Sequence, residues 1–438
     1  MHHAAMTVLF LRIAGAGVTY LFFFALAHVM PVEAFGILGV LLSSALLFSV
    51  FASFGQPLGL LRYVPPLLER NEHEALQHLV VRALRVTITG NALLFAVLLA
   101  ATGVASWLGL LAHGWAFALG LVLIPLVALA DFQAHLARAY RANVLAILPR
   151  DVLWRLISGA VIIALYYGFG RWPVPVAAAL PVLIAVLVVL IMAQGGIMRR
   201  HLRTPRMFCA QPSLPEIRDA SGFWVTSVAA IAFANLDVIV VGGLMGGETA
   251  AHYFAANRLA LVLSFFQTSA NTAIAPILST DHARGAKGQL RAKVQRITFI
   301  AFVPTLATAL LMAAGAGLFL SLFGAGFQGA APALWILLGA GVVNAGFGAG
   351  DLLLAMCDRQ RQAMRIGLWT TTVGAILIAT LGALCGLTGV ATGVFIAVSL
   401  RKAAYWHAAQ RALGIRVDIF AALAQRARDK GDYHARTN

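Results

Sequence analysis

The sequence predicts an all-α polytopic membrane protein, with twelve transmembrane helices in two parallel six-helix lobes around a central cavity. Three observations carry this. Of the 438 residues, 61% are hydrophobic and only 11% are charged, where soluble domains carry roughly 25% charged residues. The apolar residues fall into runs of about 20, the length a helix needs to cross the hydrocarbon core. The basic residues crowd into every second connector between those runs, as they do in a chain that threads back and forth through a bilayer.

Taken in order, the runs lie near 5–29, 34–56, 78–104, 114–137, 151–170, 174–196, 220–246, 249–279, 294–320, 329–356, 363–385 and 388–405. The first is too long for the apolar region of a signal peptide and lacks an early cleavage motif, so it reads as a retained span. Pro31 separates it from the second, and Pro65 and Pro66 mark the next connector. Pro149 precedes the fifth span, and Pro173 and Pro175 bracket the start of the sixth. The longest polar connector, Arg199 to Asp219, holds Pro212 and Pro215. Spans seven and eight form a hairpin that turns near Gly247 and Glu248. In the tenth, "NAGFGAGD" (344–351) sets Gly346, Gly348 and Gly350 where they permit close helix packing or a bend. The predicted domains are an N-terminal lobe with its cytoplasmic connector over 1–210, a C-terminal lobe over 211–405 and a basic tail over 406–438. The tail alternates Arg with Ala, Leu and Ile, a pattern suited to the anionic inner leaflet.

A net charge of +16 would suggest nucleic acid in a soluble protein; here topology accounts for it and no nucleic-acid partner is expected. All but three of the 32 Lys and Arg lie in or beside the connectors after even-numbered spans or in the tail, the exceptions being Arg12, Arg171 and Arg258. The positive-inside rule then places both termini in the cytoplasm. The opposite connectors are short, with Trp107, Trp115 and Trp172 near them as interfacial anchors. A chain without a large outer loop does not fit polytopic glycosyltransferases or polysaccharide polymerases. Cys209, Cys357 and Cys385 are scattered and lack metal-ligand spacing. No P-loop, His/Asp/Glu metal cluster or nucleophile with a base at helical spacing occurs, so neither an ATPase, an enzyme nor a metal site is expected.

Two halves are visible. "HVMPVEAFGILG" (28–39) enters the second span much as "GLMGGETAAHYF" (243–254) enters the eighth, and "DFQAHLARAYR" (131–141) parallels "DLLLAMCDRQR" (351–361). Six spans separate the copies, so equivalent helices run in the same direction, which implies lobes related by an axis along the membrane normal.

The ionisable residues assigned to the spans are Arg12, Asp131, Asp237, Arg258 and Asp351. An ion at membrane depth is expensive, so each must be paired, line water or work. Asp237 and Arg258 flank the hairpin turn at similar distance, about 15 Å below the outer end of their helices. They read either as a structural salt bridge or as an anion-binding arginine whose carboxylate competitor couples release to an ion. Asn235 and Asn257 are candidate amide ligands beside them. Arg12 either snorkels to the headgroups or faces the cavity as a phosphate binder, for which its planar fork is suited. Asp131 reads as a helix-end charge paired with a nearby Arg, and Asp351, after the glycine run, as a gating or ion-coupling residue. His28 and His252 lie near the outer surface.

"FASFGQPLGLLRYVPPLLERNEHEAL" (51–76), "RANVLAILPRDVLWRL" (141–156) and "LDVIVVGGLMGGETAAHYFAANRLALVLSFF" (236–266) resemble the polysaccharide-transporter branch of the multidrug/oligosaccharidyl-lipid/polysaccharide flippase superfamily, the O-antigen and exopolysaccharide flippases. The resemblance implies a carrier that moves undecaprenyl-pyrophosphate-linked repeat units from the cytoplasmic to the outer leaflet of the bacterial inner membrane by ion-coupled alternating access, beside polymerase or ligase partners. In the related lipid II flippases, basic residues of spans one and eight bind pyrophosphate, and Arg12 and Arg258 match them. Asp237 matches an aspartate of their sodium site. The acid that site also needs in span eleven is missing from "IGLWTTTVGAILIATLGALCG" (366–386), which leaves H+ or Na+ as the coupling ion and favours the proton. The competing expectation is a multidrug or cation antiporter of the same superfamily, which calls for an acidic rather than a basic cavity.

Overall fold

A computed structural model of the chain describes residues 2–109, 114–201, 220–283, 287–357 and 359–426. Cys209, the connector over 202–219 and the tail beyond 426 lie outside these. The described residues form helices and contain no strand. Among the described residues, nine helices are long and apolar enough to cross a membrane, where the hydropathy runs predict twelve spans. The chain divides into two compact units: Met1–Gly242 with Gly246–Ala251, and Gly243–Met245 with His252–Asn438.

The first unit begins with α1 (His2–Val29) and α2 (Val32–Ala52), parted at Pro31, whose extended backbone cannot continue a helix. The stretch read as the next connector is itself helical: α3 (Gln56–Glu69) buries Leu60 and Val64 in a core shared with α4 (His73–Trp107) and with α6. Then come α5 (Gly114–Leu121), α6 (Leu123–Ala139), α7 (Asn143–Ile147), a π-helical turn over Leu148–Leu153, α8 (Trp154–Gly168) and α9 (Val176–His201). Helix α6 is the hub, packed against α2, α3, α4 and α9. Its Phe132, Ala134, Leu136 and Ala137 are fully buried, and the Gln133 side chain donates to the Ile191 carbonyl of α9 at 3.1 Å. A helix enclosed on all sides must be apolar on all sides, which makes its one carboxylate, Asp131, conspicuous.

Helix α10 (Ala220–Ala260) passes from the first unit to the second and is broken at Gly246, φ 82° and ψ 178°. The second unit continues through α11 (Val262–Ala283), α12 (Lys287–Ala314), α13 (Ala316–Ser321), a 3₁₀ turn, α14 (Ala331–Gly346), α15 (Gly350–Met356) and α16 (Gln360–Leu413). Helix α16 also breaks at a glycine, Gly386, at φ 62° and ψ −144°, a conformation open to a residue without Cβ. The chain then folds back on itself: a Cβ on Gly389 would lie 1.9 Å from the Leu381 carbonyl oxygen, and one on Gly393 2.8 Å from the Ile378 Cα. The two long apolar stretches, Ser227–Thr272 and Gln360–Leu413, therefore each hold a break that leaves bilayer-length helix on both sides.

After α16 the described part of the tail packs against protein. Gly414 turns the chain at φ 71°, and an extended segment follows in which Ile415 and Val417 are buried. Alternate side chains of an extended strand face one way, so the same pattern that suits a headgroup layer here faces protein. Gln295 Nε2 donates to the Arg416 carbonyl and Thr298 Oγ1 to the Val417 carbonyl, each at 3.1 Å. Asp418 accepts from Trp406 Nε1 at 2.8 Å, from Arg416 Nε at 3.1 Å and from the Ala421 N–H at 3.0 Å, capping the helical turn over 419–426. Burial raises the Asp418 carboxyl, but these three donors more than offset it and hold it below its ordinary value. A group whose folded pKa is depressed contributes its stability above the unfolded pKa and loses it as pH falls through the folded one. Amide exchange at Ala421 is therefore expected to stay slow down to about pH 4 and to quicken below it; Asp418→Ala should be fast throughout, and an unchanged rate in that variant would contradict the cap.

Candidate functional site

The charged groups of the first unit converge where α1, α6 and the π-helical turn meet. Pro149 supplies no N–H to the helical ladder, and the chain answers with the wider turn Leu148–Leu153, a form common at functional positions. Arg150, on that turn, bonds to Asp131 Oδ1 through Nη1. His135, one turn along α6, brings Nδ1 to 3.4 Å from Asp131 Oδ2 and 2.8 Å from the Asp131 carbonyl oxygen. The Arg150 and Asp131 side chains are only 23% and 16% exposed. A cavity of about 270 Å³, within this unit, is lined by Asp131, His135 and Arg150 together with Ser53, Pro57 and Ser227.

More cations surround that pair than acids. Arg155 Nη1 donates to the Asp151 carbonyl at 2.8 Å and lies 4.0 Å from Asp151 Oδ1. Arg138 is attracted by Asp131 and Asp151 and repelled by Arg150 and Arg12, so all belong to one electrostatic neighbourhood. Helix α1 reaches it with Gly15, whose Cβ position lies 3.7 Å from the Asp151 Cβ. Arg12, on the same helix, is exposed. Among the described residues of this neighbourhood, the cations Arg12, Arg138, Arg150 and Arg155 outnumber the acids Asp131 and Asp151, and the surplus is positive. Fixed positive charge beside low-dielectric walls attracts and holds anions.

The other predicted residues fall elsewhere. Asp237 and Asn235 belong to the first unit and Arg258 and Asn257 to the second. Asp237 is buried, with Oδ1 accepting from the Val238 N–H at 2.9 Å; Asn235 Nδ2 donates within its own helix to the Ile231 carbonyl. The Arg258 guanidinium stacks 4.4 Å from the centroid of the Phe254 ring, a cation–π contact, and Asn257 is buried beside it in sequence. Asp351 lies 3.5 Å from Lys402 Nζ, directly after the break between α14 and α15.

Three of these participants escape the sequence reading. Arg150 and Arg155 count there as connector charges, and Lys402 as tail, because each lies at the edge of an apolar run. The signal for the first two is the family-like stretch "RANVLAILPRDVLWRL" itself, where a proline precedes an Arg-Asp pair and a second Arg follows Asp151 at helical spacing. Among the described residues, no His, Cys, Asp and Glu group is placed to hold a metal ion.

The sequence matches the family model described as "Polysaccharide biosynthesis protein" over residues 5–282. The chain belongs to that family. None of the curated proteins matches the sequence. Among solved structures, this polysaccharide biosynthesis protein is similar to a multidrug resistance MATE family transporter of the MOP superfamily in an inward-facing conformation, with 14% identity, a TM-score of 0.75, and coverage of 90% of this chain and 94% of that one. It is also similar to an outward-facing MATE structure, at 15% identity and a TM-score of 0.67 over 94% of this chain and 95% of that one. A third similar structure is a MOP superfamily transporter from Pyrococcus furiosus, described by the reverse polarity of its binding pocket, at 14% identity and the same TM-score and coverages. At this identity the likeness establishes the fold alone, the all-helical fold that those transporters share.

Removing Arg150 alone strands the Asp131 carboxylate in an apolar hub. Arg150→Met is expected to cost about 3 kcal/mol of stability and Asp131→Asn with Arg150→Met markedly less. Thermal unfolding of the purified variants reads the difference; equal losses in the single and double variants would mean the ion pair is not coupled in this way.

Proposed function

We propose that this polysaccharide biosynthesis protein is a flippase: it carries undecaprenyl-pyrophosphate-linked repeat units from the cytoplasmic to the outer leaflet of the bacterial inner membrane by ion-coupled alternating access. The observation that carries the reading is the sign of the charge cluster in the first unit, four arginines against two aspartates. A carrier of lipophilic cations would need the opposite sign, so the cluster disfavours the multidrug-antiporter alternative.

The chemistry is coherent with this. A pyrophosphate bearing sugars does not enter hydrocarbon unaided, and arginine holds phosphate oxygens by paired hydrogen bonds while staying charged at any working pH. Arg12 and Arg258 are proposed as the phosphate-binding residues, with Asn235 and Asn257 as further polar ligands. Asp131, Asp237 and Asp351 are proposed for coupling or gating, with H+ or Na+ as the ion. The prenyl tail stays among membrane lipids, and a polysaccharide polymerase or ligase takes the product. With the cell interior negative, outward movement of an anion is favoured by about 2.3 kcal/mol per charge for each 100 mV, so the ion gradient is needed mainly to return the empty carrier.

In a deletion strain, Arg12→Gln and Arg258→Gln are each expected to abolish surface glycan and let the prenyl-linked intermediate accumulate, while the protein persists in the membrane. Normal surface glycan in both variants would refute the substrate site. Asp237→Asn or Asp351→Asn should alter the proton or sodium dependence of export; ion dependence identical to the parent in both would remove them from coupling.

A further inference from the structure

The break between α14 and α15 is held from two sides by groups that transport chemistry alone does not call for. Phe347 to Ala349 leave the helix, with Gly348 at φ 72°. From α16, Lys402 points its ammonium at this break: Nζ donates to the Gly348 carbonyl at 3.3 Å and lies 3.5 Å from Asp351 Oδ1. Lys402 is buried, its side chain only 8% exposed. From the C-terminal segment, backbone presses on the same glycine. A Cβ at Gly348 would fall 2.2 Å from the Val417 carbonyl oxygen and 2.6 Å from Thr298 Oγ1, and that hydroxyl already donates to the Val417 carbonyl. Ile415 and Val417 close over a core that includes Leu353, Leu354 and Cys357 of the tenth span and Tyr405 of α16. The segment is fastened further on by the stack of the Arg426 guanidinium, 4.1 Å from the Phe299 ring centroid.

We infer that Lys402 and the C-terminal segment 414–426 form a latch on the break in the tenth span, which holds it bent in one way and must release it for the transport stroke. The geometry is that of a latch and not of a permanent rivet. Charge-assisted hydrogen bonds settle near 2.7–2.9 Å, whereas both Lys402 contacts are longer. The Asp351 side chain also keeps 34% of its exposure, so water can reach the carboxylate that Lys402 holds. A buried ion pair is a poor source of stability compared with apolar side chains of the same size, so its presence at a helix break points to a role in changing state. The second clasp is equally conditional, since it rests on a short extended segment held by two side-chain-to-carbonyl bonds and the Asp418 cap. Lys402 is thus a positioning residue, acting on the span through Gly348 and Asp351.

Cys357 lies under the segment and is 2% exposed, which makes it a native reporter in a full-length chain carrying Cys209→Ser and Cys385→Ser. Maleimide alkylation in membrane vesicles is expected to run at least tenfold faster in Lys402→Met, and likewise in a chain ending after Leu413 or carrying Asp418→Ala. Lys402→Arg, which keeps the charge, should stay near the parent rate. Because the two clasps hold one break, Lys402→Met combined with the truncation should be no faster than the faster single change. Export of glycan should fall at least tenfold in Lys402→Met and in the truncated chain, with membrane levels of protein maintained. Cys357 as protected in those variants as in the parent, alkylation rates that multiply in the combination, or undiminished export despite rapid alkylation would each overturn the latch. Alkylation needs no substrate, so its outcome is separate from that of the flippase reading.

Discussion

A carboxylate enclosed by apolar helices is the constraint from which most of the interior follows. Asp131 stands on α6, which packs against α2, α3, α4 and α9, and its desolvation is worth several kcal/mol unless a partner is supplied. The partner comes from a turn that an ordinary α-helix would not provide. Pro149 removes a donor, the ladder widens, and Arg150 bonds to the carboxylate. Once that pair is fixed, α1 is drawn in through Gly15 against Asp151, and Arg12 and Arg138 are left as charge in excess of what neutrality requires.

The division of spans was legible because it depends on one quantity, apolar length, that is additive along the chain. The glycine break at 246 was also anticipated, as a hairpin beside Gly247. Partners of buried charges were not legible. Arg150 is nineteen residues from Asp131, and Lys402 reaches Asp351 from another helix altogether, so neither pairing leaves a local pattern. The helix α3 was missed for a related reason: "QPLGLLRYVPPLLE" is too short and too rich in proline to read as a span, and its order comes from burying Leu60 and Val64 in a core that only the folded unit offers. The C-terminal segment is a third case: residues 414–426 pack on protein, and nothing in their local pattern names Gln295 or Thr298 as partners. Period-two spacing specifies that one face is buried; it says nothing of whether lipid or protein buries it.

The two halves preserve an acid and vary its partner. Asp131 and Asp351 open equivalent stretches of the fourth and tenth spans, yet one lies in a continuous helix and meets an arginine from the next span, while the other follows a break and meets a lysine from the last. These are different mechanical situations. Arginine engages a carboxylate with a planar fork and keeps its charge, which suits a fixed element; lysine is a compact ion on a flexible stem whose partners exchange more readily. On this argument the Asp131–Arg150 pair is the firmer of the two and the Asp351–Lys402 pair the more readily exchanged.

For the flippase proposed above, that asymmetry bears on how a carrier can grip an anion and still let it go. A site of four unopposed arginines would bind pyrophosphate tightly in every state, and a ligand held equally by all states shifts none of them. Asp131 and Asp151 lower the field to a moderate surplus, and the rigid geometry of Arg150 keeps that surplus constant. Discrimination between loaded and empty carrier must then come from elsewhere in the chain, from an element whose conformation is cheap to alter. A helix already broken at Gly348, held by long ionic contacts and a short extended segment, meets that requirement.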